Sequence, residues 1–229
     1  MSKHLQRDFD HIHSELLSLF GYVEQMIDFA VQALCQRRSE LVTKVLEMDE
    51  HVDLTEVFIE EEGLKILSLH HPVASDLRRI SIVLKVNAEL ERIADLACNI
   101  AERAEELHQF FPNFPVPDVI PEMSKNAIEM VRSALDSFVN QDVELAKRVI
   151  ELDGEVDNQN REGIQTLMEL MKESPSMVEP AIHCFSAVRH IERIGDHAEN
   201  IAEDVIYLIE GEIIRHKHND FISKNVTVK

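Results

Sequence analysis

The chain has 229 residues, a net charge of −20, 45% hydrophobic content, six glycines and seven prolines. That length holds one large domain or two of about 110 residues, and the scarcity of Gly and Pro beside abundant Leu, Ile, Glu and Ala argues against a β-rich fold. The acidity is even, with 21 acidic against 11 basic residues in 1–112 and 22 against 12 in 113–229, which excludes nucleic acid and anionic membrane surfaces as partners.

Apolar residues from Phe9 through Leu16, Val23 and Val31 to Leu34 keep helical spacing and predict a first helix over residues 5–36. Ser39 is placed to cap a second helix of about 30 residues that runs through Val45, Val52 and Leu67. Pro72 breaks it and suits the first turn of a third helix, which passes Leu77, Leu84 and Leu90 and ends near Leu107. The stretch FFPNFPVPDVIPEM carries Pro112, Pro115, Pro117 and Pro121 and reads as a linker. Beyond it, helices are predicted from Glu122 to Asn140, from an Asp142 cap to Lys172, and from Ser174-Pro175 to about Arg215. The tail from Lys217 has no pattern and is expected to fray. The expected fold is all-α, two tandem and similar three-helix bundles, divided as 1–112 and 113–229.

The halves are copies. Leu90–Glu102, LERIADLACNIAE, returns as Ile191–Glu203, IERIGDHAENIAE, with nine of thirteen positions identical at an offset of 101. Residues 46–53, LEMDEHVD, return as residues 150–157, IELDGEVD, at an offset of 104. The difference of three residues falls at the turn between the two helices.

Both blocks carry acid-x-x-x-Asp pairs: Asp49/Asp53, Glu91/Asp95, Asp153/Asp157 and Glu192/Asp196. Four residues apart on a helix is one face, and two anions stacked there cost about 0.2–0.5 kcal/mol. At about 100° per residue, Asn99 and Glu102 continue the stripe of Glu91 and Asp95, and Asn200 and Glu203 continue that of Glu192 and Asp196. Glu56 and its counterpart Asn160 extend the Asp stripes by a turn. Chance alone gives roughly three such pairs in a chain of this composition, so the five present, including Glu24/Asp28, carry no weight as a number. Weight comes from four of them standing at equivalent places in the repeat.

One reading is a duplicated acidic surface that keeps the protein soluble. The other is a metal site. Carboxylate and amide oxygens suit hard cations such as Mg²⁺, Ca²⁺, Mn²⁺ or iron, whereas the paired Glu-x-x-His of di-iron bundles appears only at Glu105/His108, without a copy. His70, His71, His183, His190 and His197 have no matching histidine in the other half and read as surface or capping residues. Arg92 and Arg193 follow the first glutamate of each block and suit ion pairs that orient a carboxylate. No phosphate loop, nucleophile elbow or Cys/His pair is present in the sequence. Cys35, Cys98 and Cys184 form no C-x-x-C and read as reduced buried thiols of a cytoplasmic protein. No signal-peptide core and no run of about 18 apolar residues occurs, so no membrane insertion is expected.

The doubled block, the four acid-x-x-x-Asp pairs and the segment HPVASDLRR at 71–79 resemble the PhoU family over about Asp8 to Gly211. The resemblance implies two similar three-helix bundles with metal ions, in some members clustered, on the acidic faces: iron first, with zinc, manganese and magnesium as alternatives. By motif position that assigns Asp49, Asp53, Glu91, Asp95, Asp153, Asp157, Glu192 and Asp196, with Asn99, Glu102, Asn200 and Glu203 beside them. It implies a homodimeric cytoplasmic regulator without enzymatic activity. Such a regulator restrains phosphate uptake and the starvation response by contacting the ATPase subunit of a phosphate ABC transporter and a phosphate-sensing histidine kinase. HPVASDLRR has no copy in the second half, where SPSMVEP stands at 174–180. The residues themselves leave a metal-dependent enzyme and a metal-free scaffold open as alternatives.

Overall fold

In the computed structural model, which describes residues 3–211, six helices follow in order: α1 (Lys3–Gln36), α2 (Glu40–His70), α3 (Ser75–Phe110), α4 (Val119–Asn140), α5 (Val143–Glu173) and α6 (Val178–Glu210). A single 3-10 turn, Pro175–Met177, precedes α6. No strand occurs among the described residues.

Helices α1, α2 and α3 pack on one another, as do α4, α5 and α6. The two bundles meet along α3 and α6, and again where α1 meets α4. Among the described residues, helices α2 and α5 make no close approach to the opposite bundle and form the two outer flanks. Across the central seam α3 and α6 are antiparallel: Lys85 reaches Asp204, Glu89 reaches His197, and Glu106 reaches His183.

The sequence periodicity accounts for the packing. Ile93, Ala97, Ile100 and Ala101 on α3, and Ile194, Ala198, Ile201 and Ala202 on α6, are all fully buried. They stand at 3.6-residue spacing and leave one face of each helix for the acids. Small residues in that stripe let each helix approach its neighbours closely. Similarly, a methyl group added at Gly63 of α2 would come within 2.5 Å of Leu84 Cδ2 on α3.

Several helix ends differ from the sequence reading. Ser39 adopts helical backbone angles and makes no side-chain cap bond, so burial of Leu41 and Val42, and not capping, holds that start. Pro72 lies in the connection between α2 and α3 and not in the first turn of α3. His71, with φ 44°, closes α2 in the left-handed region. α3 runs three residues past Leu107, and α4 begins at Val119, three before Glu122. Pro121 is absorbed by its first turn, where a missing N–H has no consequence. Asp142 is the expected cap, accepting from Leu145 N at 3.0 Å. α6 ends at Glu210, with Gly211 at φ 78° bonding back to Tyr207 O. The expected continuation to Arg215 and the fraying tail lie outside the described residues.

Two glycines test the close approach of α2 to α3. Gly21, inside α1, has nothing within 4 Å of an added Cβ. Gly21→Ala is expected to stabilise by about 1 kcal/mol through helix propensity, raising Tm by roughly 2–4 °C. Gly63→Ala, which has to displace Leu84, is expected to fall at least ~1 kcal/mol short of that gain. Thermal melts of the two variants check both, and equal gains would show that α2 and α3 are not in tight contact at Gly63.

Candidate metal centre

The acidic stripes meet in two places, between α2 and α3 and between α5 and α6. At the first, burial raises the carboxyl pKa values of Asp49, Glu91 and Asp95. Mutual repulsion adds to this: Asp53 acts on all three, Asp95 on Asp49 and Glu91, and Glu56 on Glu91. At the second, burial again leads for Glu192 and Asp196, reinforced by Asp157 on both, by Asp153 on Asp196 and by Asp196 on Glu192. All eight residues of the acid-x-x-x-Asp pairs are therefore brought together, four at each place.

The remaining predicted residues divide. Glu203 is buried and repels Glu199 within the second cluster. Glu102 is exposed and pairs with Arg103 at 3.5 Å, at the edge of the first. Asn99 donates its amide to Asp95 O of its own helix at 2.7 Å. Asn200 donates across the seam to Glu89 at 3.3 Å. The two amides are thus engaged outside the carboxylate groups.

Two participants were not legible in the sequence. Glu199 is pushed up to about 8, by burial first and then by Asp153, Glu203, Asp196 and Asp157. Its counterpart is Cys98, whose thiol donates to the Asp49 carboxylate and feels Asp49, Asp95 and Glu102. Asp49, Asp95 and Glu102 correspond under the repeat to Asp153, Asp196 and Glu203, so Cys98 and Glu199 occupy one structural position with different chemistry. Comparing only identical positions hid this pair, although Glu199 lies three residues from Asp196 and four from Glu203.

Neighbouring cations also depart from expectation. Arg92 and Arg193 are exposed and make no hydrogen bond among the described residues. The arginine that orients a glutamate is Arg189, which donates to Glu192 Oε1 at 2.7 Å. Its counterpart is Ala88, so the first face has no such clamp. His197 is buried and donates from Nδ1 to Glu89 at 2.6 Å, which makes it a seam residue and not a ligand candidate. His183, half-buried, stands 3.2 Å from Glu106 across the same seam without hydrogen-bond geometry.

Among the described residues, no three His, Cys, Asp or Glu side chains converge as the ligands of one ion; the carboxylates stand apart, as like charges do. The donor chemistry nonetheless fits a hard cation. It is oxygen-rich, Glu192 and Asp196 are held above their ordinary pKa values by burial first and then by neighbouring carboxylates, and Glu192 Oε2 is buried without a hydrogen-bond partner. The residues that would hold such an ion are the acid pairs of each face, with Cys98 adjoining the first and Glu199 the second.

No helix among the described residues is long and apolar enough to cross a membrane. Residues 16–104 and 120–205 each match the PhoU domain. The phosphate-specific transport system accessory protein PhoU homolog of Aquifex aeolicus is 40% identical over 214 residues, covering 93% of this chain and 96% of that protein. The phosphate-specific transport system accessory protein PhoU of Serratia marcescens is 33% identical over 230 residues, covering 98% and 93%. The crystal structure of PhoU from Pseudomonas aeruginosa superposes with a TM-score of 0.88 at 36% identity, covering 90% of this chain and 99% of that one. With both bundles matched and likeness extending over nearly its whole length, the chain belongs to the PhoU family, whose members are regulatory accessory proteins and not enzymes.

Proposed function

We propose that this protein is a cytoplasmic accessory regulator of phosphate transport, working through protein contacts, with metal ions on its two acidic faces. The observation that carries the first part is the near full-length likeness to relatives named as accessory proteins of the phosphate-specific transport system. On this reading its partners are the ATPase subunit of a phosphate ABC transporter and a phosphate-sensing histidine kinase, it pairs as a homodimer, and it lowers phosphate uptake and the starvation response. The metal part rests on the repeated acid pairs and their crowding. A cation on each face would relieve the repulsion among Asp49, Asp53, Glu91 and Asp95, and among Asp153, Asp157, Glu192 and Asp196. Iron, or zinc, manganese or magnesium in its place, suits donors of this kind.

Deleting the gene in its own host is expected to leave a starvation reporter active in phosphate-rich medium, and restoring it is expected to switch the reporter off. An unresponsive reporter would remove the regulatory reading.

Protein purified without chelator is expected to carry metal by elemental analysis. The double variant Asp95→Ala/Asp196→Ala is expected to lose most of it while keeping its helical circular dichroism. A metal-free parent whose melting ignores added Fe, Mn, Zn and Mg would leave a metal-free scaffold.

The crowding also predicts a pH effect in metal-stripped protein. Because the Glu199 pKa in the fold is about 8 against an ordinary 4.5, its contribution is fully present below the ordinary value. It is lost as pH rises through about 8. Glu199→Gln carries no charge to desolvate, so its Tm is expected to fall less between about pH 5 and pH 8.5. The difference should be on the order of 2 kcal/mol, discounted for partial solvent screening. Parallel slopes in the two proteins would show that Glu199 is not strained by its neighbours.

A further inference from the structure

The two faces share their acid pairs but differ in what lies behind them. On α5, Asn160 is 5% exposed, and on α6 Glu192 is 9% exposed. Asn160 Nδ2 donates to Glu192 Oε1 at 3.4 Å, and Arg189 Nη1 donates to the same oxygen at 2.7 Å. These two donors fix both side-chain heads. Their other oxygens, Glu192 Oε2 and Asn160 Oδ1, are buried and accept no hydrogen bond. Two unfilled acceptors on heads that already touch, one of them a carboxylate, form an arrangement that a cation would satisfy.

The first face lacks this arrangement. Glu56 stands where Asn160 does, and Ala88 stands where Arg189 does. Glu91, the counterpart of Glu192, is only half-buried. The buried amide there, Asn87, lies on α3 and donates to the Glu56 main-chain carbonyl at 2.9 Å and to Glu56 Oε1 at 3.4 Å, not to Glu91. Asn87 Oδ1 is also unpartnered, but no arginine clamps the glutamate beside it. Cys98 adjoins this face and donates to Asp49.

We propose that Glu192 Oε2 and Asn160 Oδ1 are a preformed ligand pair for one hard divalent cation, which the α5/α6 face therefore binds more tightly than the α2/α3 face. This rests on the reading that the acidic faces take metal. Fixing the heads in advance removes the rotamer entropy that flexible carboxylates lose on ligation, and Asp157 and Asp196 supply further charge beside the pair. Oxygen donors select a Mg²⁺- or Mn²⁺-like ion here.

The test is a Mn²⁺ titration of chelator-stripped, full-length protein, read by loss of the free-ion electron paramagnetic resonance signal. The parent is expected to show a tight and a weaker class of site. Asn160→Leu is expected to weaken the tight class at least tenfold and leave the weaker one. Asn160→Asp, which keeps an oxygen, is expected to retain the tight class, and Glu91→Gln is expected to alter only the weaker. Helical circular dichroism checks the fold of each, and Glu192→Gln replaces Asn160→Leu should the latter not fold. Two equal classes in the parent, or a tight class indifferent to both Asn160→Leu and Glu192→Gln, would overturn the proposal while leaving metal binding intact. A parent that binds no Mn²⁺ on either face overturns this proposal, whereas iron or zinc found in the native protein would still uphold the broader reading.

Discussion

The structure depends on how many neighbours α3 and α6 have. Each packs against two helices of its own bundle and against the other across the seam. A helix covered on three sides has one stripe left for polar groups. That is why the repeated block alternates as it does. Ala94, Ala97, Ala101 and Ala104, with Ile93 and Ile100, fill the covered sides of α3. Gly195, Ala198 and Ala202, with Ile194 and Ile201, fill those of α6. Large residues at every covered position would push the neighbours apart, so small ones are interleaved with large ones. The acids occupy what remains, beside the outer helices α2 and α5, and the Asp pairs of those helices meet them there.

Charge and packing then pull in opposite directions. Packing draws the outer helices onto α3 and α6, while their facing carboxylates repel. Burial first, and then that repulsion, raises the pKa values of Glu91, Asp95, Glu192 and Asp196. Glu199 feels it most, being among four other acids. A protein selected only for solubility spreads its charge over the surface, where water and salt screen it. Gathering it on half-buried faces is harder to reconcile with solubility than with cation binding.

Much of this was legible in the sequence, and the boundary between what was and was not is physical. The repeat, the proline linker, the six helices and the Asp142 cap follow from local patterns. So do the faces carrying the acid pairs, because spacing of four on a helix is a local rule. Ser39 and Pro72 were misplaced because the termini they were meant to define are held by buried Leu41 and by the left-handed His71. Contacts across about a hundred residues left no local mark. Glu89 with His197, and Lys85 with Asp204, pair only once α3 lies along α6. Cys98 and Glu199 hold the same position with different chemistry, so a match of identical residues passes over them.

The seam shows why two similar bundles still make an ordered whole. If the halves met through a symmetric interface, every bridge would occur twice. Instead Glu89 pairs with His197, while their counterparts under the repeat are His190 and Leu96. Lys85 pairs with Asp204, while their counterparts are Ser186 and Arg103. Arg78 lies over the Tyr207 ring, whose counterpart is Glu106. Each bridge is therefore made once, between one particular half and the other. Two copies of the first half would place Glu89 opposite Leu96, and two copies of the second would place His197 opposite His190, so neither could reproduce the Glu89–His197 contact. A buried acid left without its partner is costly, and that cost discriminates against like pairing of bundles. The asymmetry extends to the acidic faces, where Asn160 and Arg189 stand opposite Glu56 and Ala88. Duplication supplied two similar cores, and these differences between the halves lie on the polar stripes, where substitution leaves the apolar packing of α3 and α6 in place.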